Sequence, residues 1–230
     1  MTTADQQKKS VGLEAARLVA SGMVVGLGTG STARWFIEAL ASRGLDVTCV
    51  ATSEESARLA ARLGLRLAEL NDVGAIDITV DGADEIGPDL TLVKGAGAAL
   101  LREKLVWEVS RRCVVIADAG KRVARLGACP LPIEVVPFGH RTTAARIRSV
   151  LDTCGIGGPL DLRQGPDGPV VTDNGNLIYD ARCGAIDDPA TLATCLKATT
   201  GVVEHGLFVA LATDGLVGTD DGVRHLARAA

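Results

Sequence analysis

The chain has 230 residues, 47% of them hydrophobic and only 3% aromatic, so it can bury a core built mainly from Val, Leu, Ile and Ala. Its formal net charge is −4, and no basic run exceeds Lys8-Lys9 or Arg111-Arg112, which argues against the clustered positive surface of a nucleic acid binder. No window approaches the ~18 apolar residues of a membrane span, and MTTADQQKKS lacks the apolar core of a signal peptide, so a cytoplasmic protein is expected.

In chain order, Val11, Ala15, Leu18 and Val19 recur at helical spacing within 8–21, with Gly22 placed to close that helix. MVVGLG (23–28) is a buried strand running into a glycine turn. STARWFIEALASRG then reads as a helix that Ser31 or Thr32 can cap and Gly44 can end. DVTCVAT is the next strand, and Thr52-x-x-Glu55 is a possible capping box for a helix through Leu63. Strands are expected at 65–68, 76–80 and 90–93, a helix at 98–110, and a strand at 113–117. This alternation implies a parallel-rich sheet covered by helices, with ligands bound outside the C-terminal strand ends. Gly28–Thr32, Thr52–Ser56 and Asp81–Asp84 all fall at that rim.

The pattern changes after Pro130. LPIEVVPF reads as a strand, 140–151 as a helix, Asn174-Gly175 as a two-residue hairpin turn, 189–198 as a helix and GVVEHGLF as a strand. That order is a small α+β split unit, expected at 131–206. The tail from Leu207 is expected to return to the first domain (1–130) with a last hairpin near 220–222. The six cysteines (49, 113, 129, 154, 183 and 195) form no CxxC pair and read as buried, reduced thiols.

Three segments carry candidate chemistry. Gly26-Leu-Gly-Thr-Gly-Ser-Thr-Ala33 can cradle a phosphate: its glycines allow close approach, the following helix offers N–H groups, and Thr29, Ser31 and Thr32 add hydroxyls. It is neither a dinucleotide fingerprint nor a P-loop, because Ser31 stands where the third glycine would be and no Gly-Lys-Ser/Thr follows. A plain strand-to-helix turn stays open. Asp81 and Asp84, in DGADE, can hold sugar hydroxyls or move protons, and an ordinary Asp-Gly turn remains the alternative. His140, His205 and His225 are far apart in sequence, which argues against zinc. Lys94 leads into Gly95-Ala96-Gly97. Glu103 lies one helical turn from Ala99 and from Trp107, so desolvation would favour its neutral form and suit it to act as a base. Its helical phase separates it from Lys104 and Glu108; a surface Glu among Arg102, Lys104 and Glu108 is the alternative.

GLGTGSTA, TSEES, DGADEI, KGAGAALLREK, IADAGK, LPIEVVP and VTDNGNLIYD, taken in this order, resemble the motifs of the ribose-5-phosphate isomerase family, type A, over nearly the whole chain. That resemblance implies a Rossmann-like α/β domain (1–130 plus 207–230) with a smaller ferredoxin-like α+β domain (131–206). It also implies metal-free interconversion of ribose 5-phosphate and ribulose 5-phosphate, with no cofactor, in a homodimer or tetramer. By the same resemblance Thr29, Gly30, Ser31, Thr32 and Lys121 would bind the phosphate. Asp81, Gly82, Ala83, Asp84, Lys94, Gly95, Ala96 and Gly97 would line the sugar, and Glu103 would accept the proton. Asp81 would assist ring opening, Lys94 would face the enediolate oxygen, and Asp84 would fix hydroxyls. Ala96 stands where the family commonly has glycine, and Gly120 where it has serine. Two rivals are a phosphosugar-sensing regulator domain, which needs neither Lys94 nor Glu103, and a coenzyme A transferase subunit, which needs a CoA surface that this sequence does not display.

Overall fold

The computed structural model describes residues 2–228. In chain order its elements are α1 (Thr3–Arg17), β1 (Val24–Leu27), α2 (Ser31–Ser42), β2 (Thr48–Ala51), α3 (Glu54–Arg62), β3 (Arg66–Leu67), β4 (Ile78–Gly82), β5 (Glu85–Ile86) and β6 (Leu92–Val93). Next come α4 (Leu100–Glu108), β7 (Cys113–Asp118), β8 (Leu131–Val135), α5 (His140–Thr153), β9 (Leu160–Leu162), β10 (Gln164–Gly165), β11 (Gly168–Pro169) and β12 (Leu177–Ala181). The chain ends with α6 (Pro189–Lys197), β13 (Val202–His205), β14 (Leu207–Phe208), β15 (Asp214–Thr219) and β16 (Gly222–Ala227). No described helix is long and apolar enough to cross a membrane.

The protein is a mixed α/β fold of two compact units, one comprising 1–83, 102–122 and 210–230, the other 84–101 and 123–209. The first unit holds a seven-stranded sheet in the order β16-β15-β7-β4-β1-β2-β3. All its neighbours are parallel except the β15–β16 hairpin, which turns at Asp220-Asp221. From β1 the chain builds outward through β2 and β3 on one side and β4 and β7 on the other. The strand order therefore reverses between β1 and β4, which is where α/β sheets open a crevice for ligands. Val11, Ala15 and Ala16 of α1 and Phe36, Ile37 and Leu40 of α2 cover the sheet residues Val25, Leu27, Ile78, Val80, Val114 and Ile116, all of them buried. Branched and small side chains fill this core, as the low aromatic content requires.

In the second unit, β8, β9, β12 and β13 form a four-stranded antiparallel sheet in the order β13-β8-β12-β9, and with α5 after β8 and α6 after β12 this is the strand order of a ferredoxin-like unit. Ile147 and Leu151 of α5 and Leu192 and Leu196 of α6 pack on Leu131, Ile133, Val135, Tyr179 and Ala181. A turn does form at Asn174-Gly175, but as a three-residue loop, Asp173–Gly175, and not the expected two-residue one: Thr172 N donates to Asn176 O over 2.9 Å, and Gly175 at φ +77 takes the left-handed position. A small antiparallel sheet, β14-β6-β5, holds the segment around Lys94.

Several local expectations need correction. The α1 helix starts at Thr3, capped by a Thr2/Asp5 capping box, and ends at Arg17; Gly22 lies in the following turn. Ser53, not Thr52, caps α3, because Ser53 is the residue left extended; the Thr52 hydroxyl donates instead to Leu27 O. Ala98 takes a left-handed φ of +57, so α4 begins only at Leu100. GVVEHGLF breaks at Gly206 into strands of two different sheets. Among the described cysteines, all six are free thiols, but only Cys49 and Cys113 are buried; the other four are partly exposed.

Candidate active site

The glycine turn leaves β1 at Gly28, on the C-terminal edge of the sheet. A side chain at Gly28 would collide with Asp81, whose Cα lies 2.5 Å and Oδ1 2.1 Å from where a Cβ would sit. Only glycine lets the turn lie this close to the end of β4. Asp81 is fully buried, and its Oδ1 accepts from Thr29 N (3.0 Å) and from Gly82 N (2.7 Å). The Thr29 hydroxyl is also committed inward, lying 2.8 Å from the Thr52 hydroxyl and 2.8 Å from that of Ser53. Ser56 completes the cluster by donating to Gly28 O over 2.6 Å. Thr29 is therefore a brace that ties the β1, β2 and β4 ends together, and TSEES contributes that brace from the end of β2.

Gly30 is the N-cap of α2, at φ 100 and ψ −177, a backbone region that only glycine occupies readily. Its lack of a side chain leaves the helix with no side-chain cap, contrary to the expected Ser31 or Thr32 cap. The two hydroxyls lie one and two positions too late to cap, because the helix begins at Ser31 itself. The first-turn N–H groups of Ser31, Thr32 and Ala33 thus form a ready anion cradle, with the helix dipole adding to it. A cavity of about 510 Å3 opens beside Gly30 and Ser31, between α2 and α3. Lys8 of α1 donates to the Ser31 hydroxyl over 3.2 Å. Sequence reading passed over this cation, which lies 23 residues away in an ordinary helix and has no local signal to mark it. Lys121 stands half-buried just past the end of β7, next to β4 on the same sheet edge. Gly82 and Ala83 are partly exposed at the end of β4.

In α4, Glu103 is buried at 4% exposure, between buried Ala99 and Trp107 in the sequence phase that was expected. Lys104, assigned by that phase to the solvent side, is also buried, at 7%. The exposed positions of this helix are Leu105 and Glu108.

The remaining candidates lie in the second unit. Asp84 Oδ2 accepts from Ala96 N over 2.9 Å, so this carboxylate directly braces the Lys94–Gly97 loop. Lys94 is buried, with its N–H donating to Gly206 O (2.8 Å) and its ammonium 5.4 Å from the centroid of the Phe208 ring. Gly95 takes φ +109, and a side chain there would meet Leu100 and Pro132. Ala96 and Gly97 are exposed. Among the described residues no group of three or more His, Cys, Asp or Glu could hold a metal ion.

An α/β unit with an uncapped helix start, a buried aspartate and hydroxyl braces at its switch point has the kind of sheet edge that can hold a phosphate ester. The comparisons with known proteins narrow this reading. The model of ribose 5-phosphate isomerase A (phosphoriboisomerase A) matches residues 48–222. A ribose-5-phosphate isomerase A of Caulobacter vibrioides is 60% identical over 225 residues, covering 97% of this chain and 99% of the relative. A solved D-ribose-5-phosphate isomerase in complex with phospho-erythronic acid superposes with a TM-score of 0.92 at 39% identity, covering 99% of this chain and 100% of the other. The ribose 5-phosphate isomerase from Plasmodium falciparum gives 0.92 at 37% identity, covering 98% and 100%. The chain belongs to the ribose 5-phosphate isomerase A family, a family of isomerases.

Proposed function

We propose that this chain interconverts D-ribose 5-phosphate and D-ribulose 5-phosphate through an enediolate, with Glu103 as the general base. The observation that carries this reading is the uncapped start of α2 beside the buried, doubly hydrogen-bonded Asp81, a phosphate cradle next to a fixed carboxylate. Support also comes from the relative solved with phospho-erythronic acid, a phosphorylated sugar acid.

The N–H groups and hydroxyls of Ser31 and Thr32, with Gly30 leaving them open, hold the phosphate, and Lys121 supplies positive charge. Asp81 assists ring opening to the aldehyde. The Glu103 carboxylate takes the proton from C2, and the C–H electron pair forms the C1–C2 double bond while negative charge develops on O1. The Lys94 ammonium stabilises that charge. A proton passes from O2 to O1, and Glu103 returns its proton to C1, which leaves the ketone at C2. Asp84, Gly82, Ala83 and Gly95–Gly97 line the sugar. Glu103 is buried, at 4% exposure, where a carboxylate is held in place for such a transfer.

The same reading includes a metal-independent reaction in the non-oxidative pentose phosphate route, a cytoplasmic location and a homodimer or tetramer. It also includes a smaller domain at 131–206, a span that contains the whole β13-β8-β12-β9 sheet with α5 and α6. The test is formation of ribulose 5-phosphate from ribose 5-phosphate by the purified protein in EDTA. Turnover is expected to persist. An inactive protein would overturn the substrate, and activity lost on chelation and restored by a divalent cation would overturn metal independence.

A further inference from the structure

Arg163, between β9 and β10, belongs to none of the segments assigned above. Its side chain is 16% exposed and makes four hydrogen bonds. Nε donates to Asp180 Oδ2 over 2.7 Å and Nη2 to Asp180 Oδ1, a bidentate fork onto a carboxylate of β12 that is itself 21% exposed. Nη1 donates to two consecutive main-chain carbonyls, Gly95 O at 2.9 Å and Ala96 O at 3.1 Å. The antiparallel β9–β12 sheet thus reaches across 67 and 68 positions of sequence to grip the Lys94–Gly97 loop.

That grip has a directional consequence. The peptide group is planar and, throughout the described residues, trans, so each N–H points opposite to the C=O of the same peptide. Fixing Gly95 O and Ala96 O on Arg163 therefore sets the direction of Ala96 N–H and Gly97 N–H. The Ala96 N–H is the one that meets Asp84 Oδ2. The Gly97 N–H is aimed away from the guanidinium, on an exposed stretch of loop. The loop needs such support, because Gly95 at φ +109 and Ala98 at φ +57 are backbone states that an unsupported chain abandons readily. Lysine cannot replace the clamp: one ammonium cannot span a carboxylate and two carbonyls in a fixed plane.

We propose that Arg163, oriented by Asp180, is a positioning residue for the isomerisation, holding the Lys94–Gly97 loop and its N–H groups in the geometry that the reaction uses. The proposal rests on the substrate reading above, in which that loop lines the sugar.

The test uses the full-length protein with ribose 5-phosphate as substrate and inorganic phosphate as a competitive probe of the Gly30–Thr32 cradle. Arg163→Gln is expected to lower kcat about 10²-fold, the size of effect that a ~1 Å displacement of positioning groups produces. The phosphate inhibition constant should stay at the wild-type value, because the cradle belongs to other elements. Arg163→Lys should not restore the rate, whereas methylguanidinium should partly restore it to Arg163→Gly. Asp180→Asn keeps the shape of the clamp and should lower kcat by roughly tenfold, which decides the matter if the Arg163 variants fail to fold. Wild-type kcat in Arg163→Gln, or in Asp180→Asn, would overturn the proposal. So would a loss of rate matched by an equal loss of phosphate binding, which would mark a general structural residue. A wild-type enzyme inactive on ribose 5-phosphate would instead overturn the substrate reading.

Discussion

Replacing Gly28 by alanine is expected to damage stability and turnover together, and the size of each effect follows from one contact. The new Cβ would lie 2.5 Å from Asp81 Cα, and ordinary van der Waals contact begins at 3.4 Å. The ends of β1 and β4 must therefore part by about 0.9 Å, since backbone cannot rotate away as a flexible side chain does. Overpacking of this kind costs about 1–3 kcal/mol, or roughly 2–12 °C in Tm for a protein of this size. The same shift pulls the Asp81 carboxylate off Thr29 N and moves the start of α2, so kcat/KM should fall about 10²-fold. Steady-state isomerisation and thermal unfolding measure the two effects. Gly22→Ala is the control. Gly22 also has positive φ, with nothing within 4 Å of a Cβ, so that variant should lose stability and keep full activity. A Gly28→Ala protein with wild-type Tm and kcat/KM would refute the close approach of the two strand ends.

Two further outcomes concern the frame around the site. Burial opposes ionisation of Asp214, but hydrogen bonds from Arg112 and Thr213 outweigh it and hold the carboxyl below its ordinary value of 3.8. A lowered folded-state pKa gives stability that is present above the unfolded value and is lost as pH falls through the folded one. Asp214→Asn should therefore cost about 1 kcal/mol near neutrality, a Tm gap that closes below about pH 4; a gap of full size in stronger acid would contradict the pairing. Burial also pushes the Cys113 thiol up to about 12 and Cys49 to about 11. At pH 8 the thiolate fraction of Cys113 is then on the order of 10⁻⁴, and iodoacetamide should label partly exposed Cys195 well before either buried thiol. Equal labelling rates in the native protein would count against that burial.

The alternation of short apolar runs with amphipathic stretches made the parallel sheet legible, because each βα step carries its own turn residue. Gly44 and Gly175 both adopt the positive φ that their placement suggested. What stayed hidden depends on partners distant in sequence. Whether Thr52 or Ser53 caps α3 is decided by the pull of Leu27 O on Thr52, which no local pattern encodes. The strand break at Gly206 follows from the approach of Lys94 O, 2.1 Å from where a Cβ would lie, another contact across a hundred residues. Lys104 resembles a solvent lysine in every local respect and is nonetheless buried. The expected domain limits follow chain order, whereas the compact units follow packing. They take 84–101, 123–130 and 207–209 into the second unit, since β5, β6 and β14 form one sheet and Leu126 joins the core of that unit. Of the candidate site, the glycine turn, the aspartates, Lys94 and Glu103 were legible as motifs. Lys8, which donates to Ser31 from 23 residues away, and Arg163, which grips carbonyls 67 and 68 positions away, were not.

Turnover of ribose 5-phosphate by Glu103→Gln is the most direct test of the proposed chemistry. The substitution keeps the side chain's shape and removes only its ability to accept the C2 proton. A positioned base contributes roughly 10²–10⁴-fold, so kcat should fall by that factor while KM stays within a few-fold. Near-wild-type kcat in that variant would contradict the assignment of Glu103 as the base.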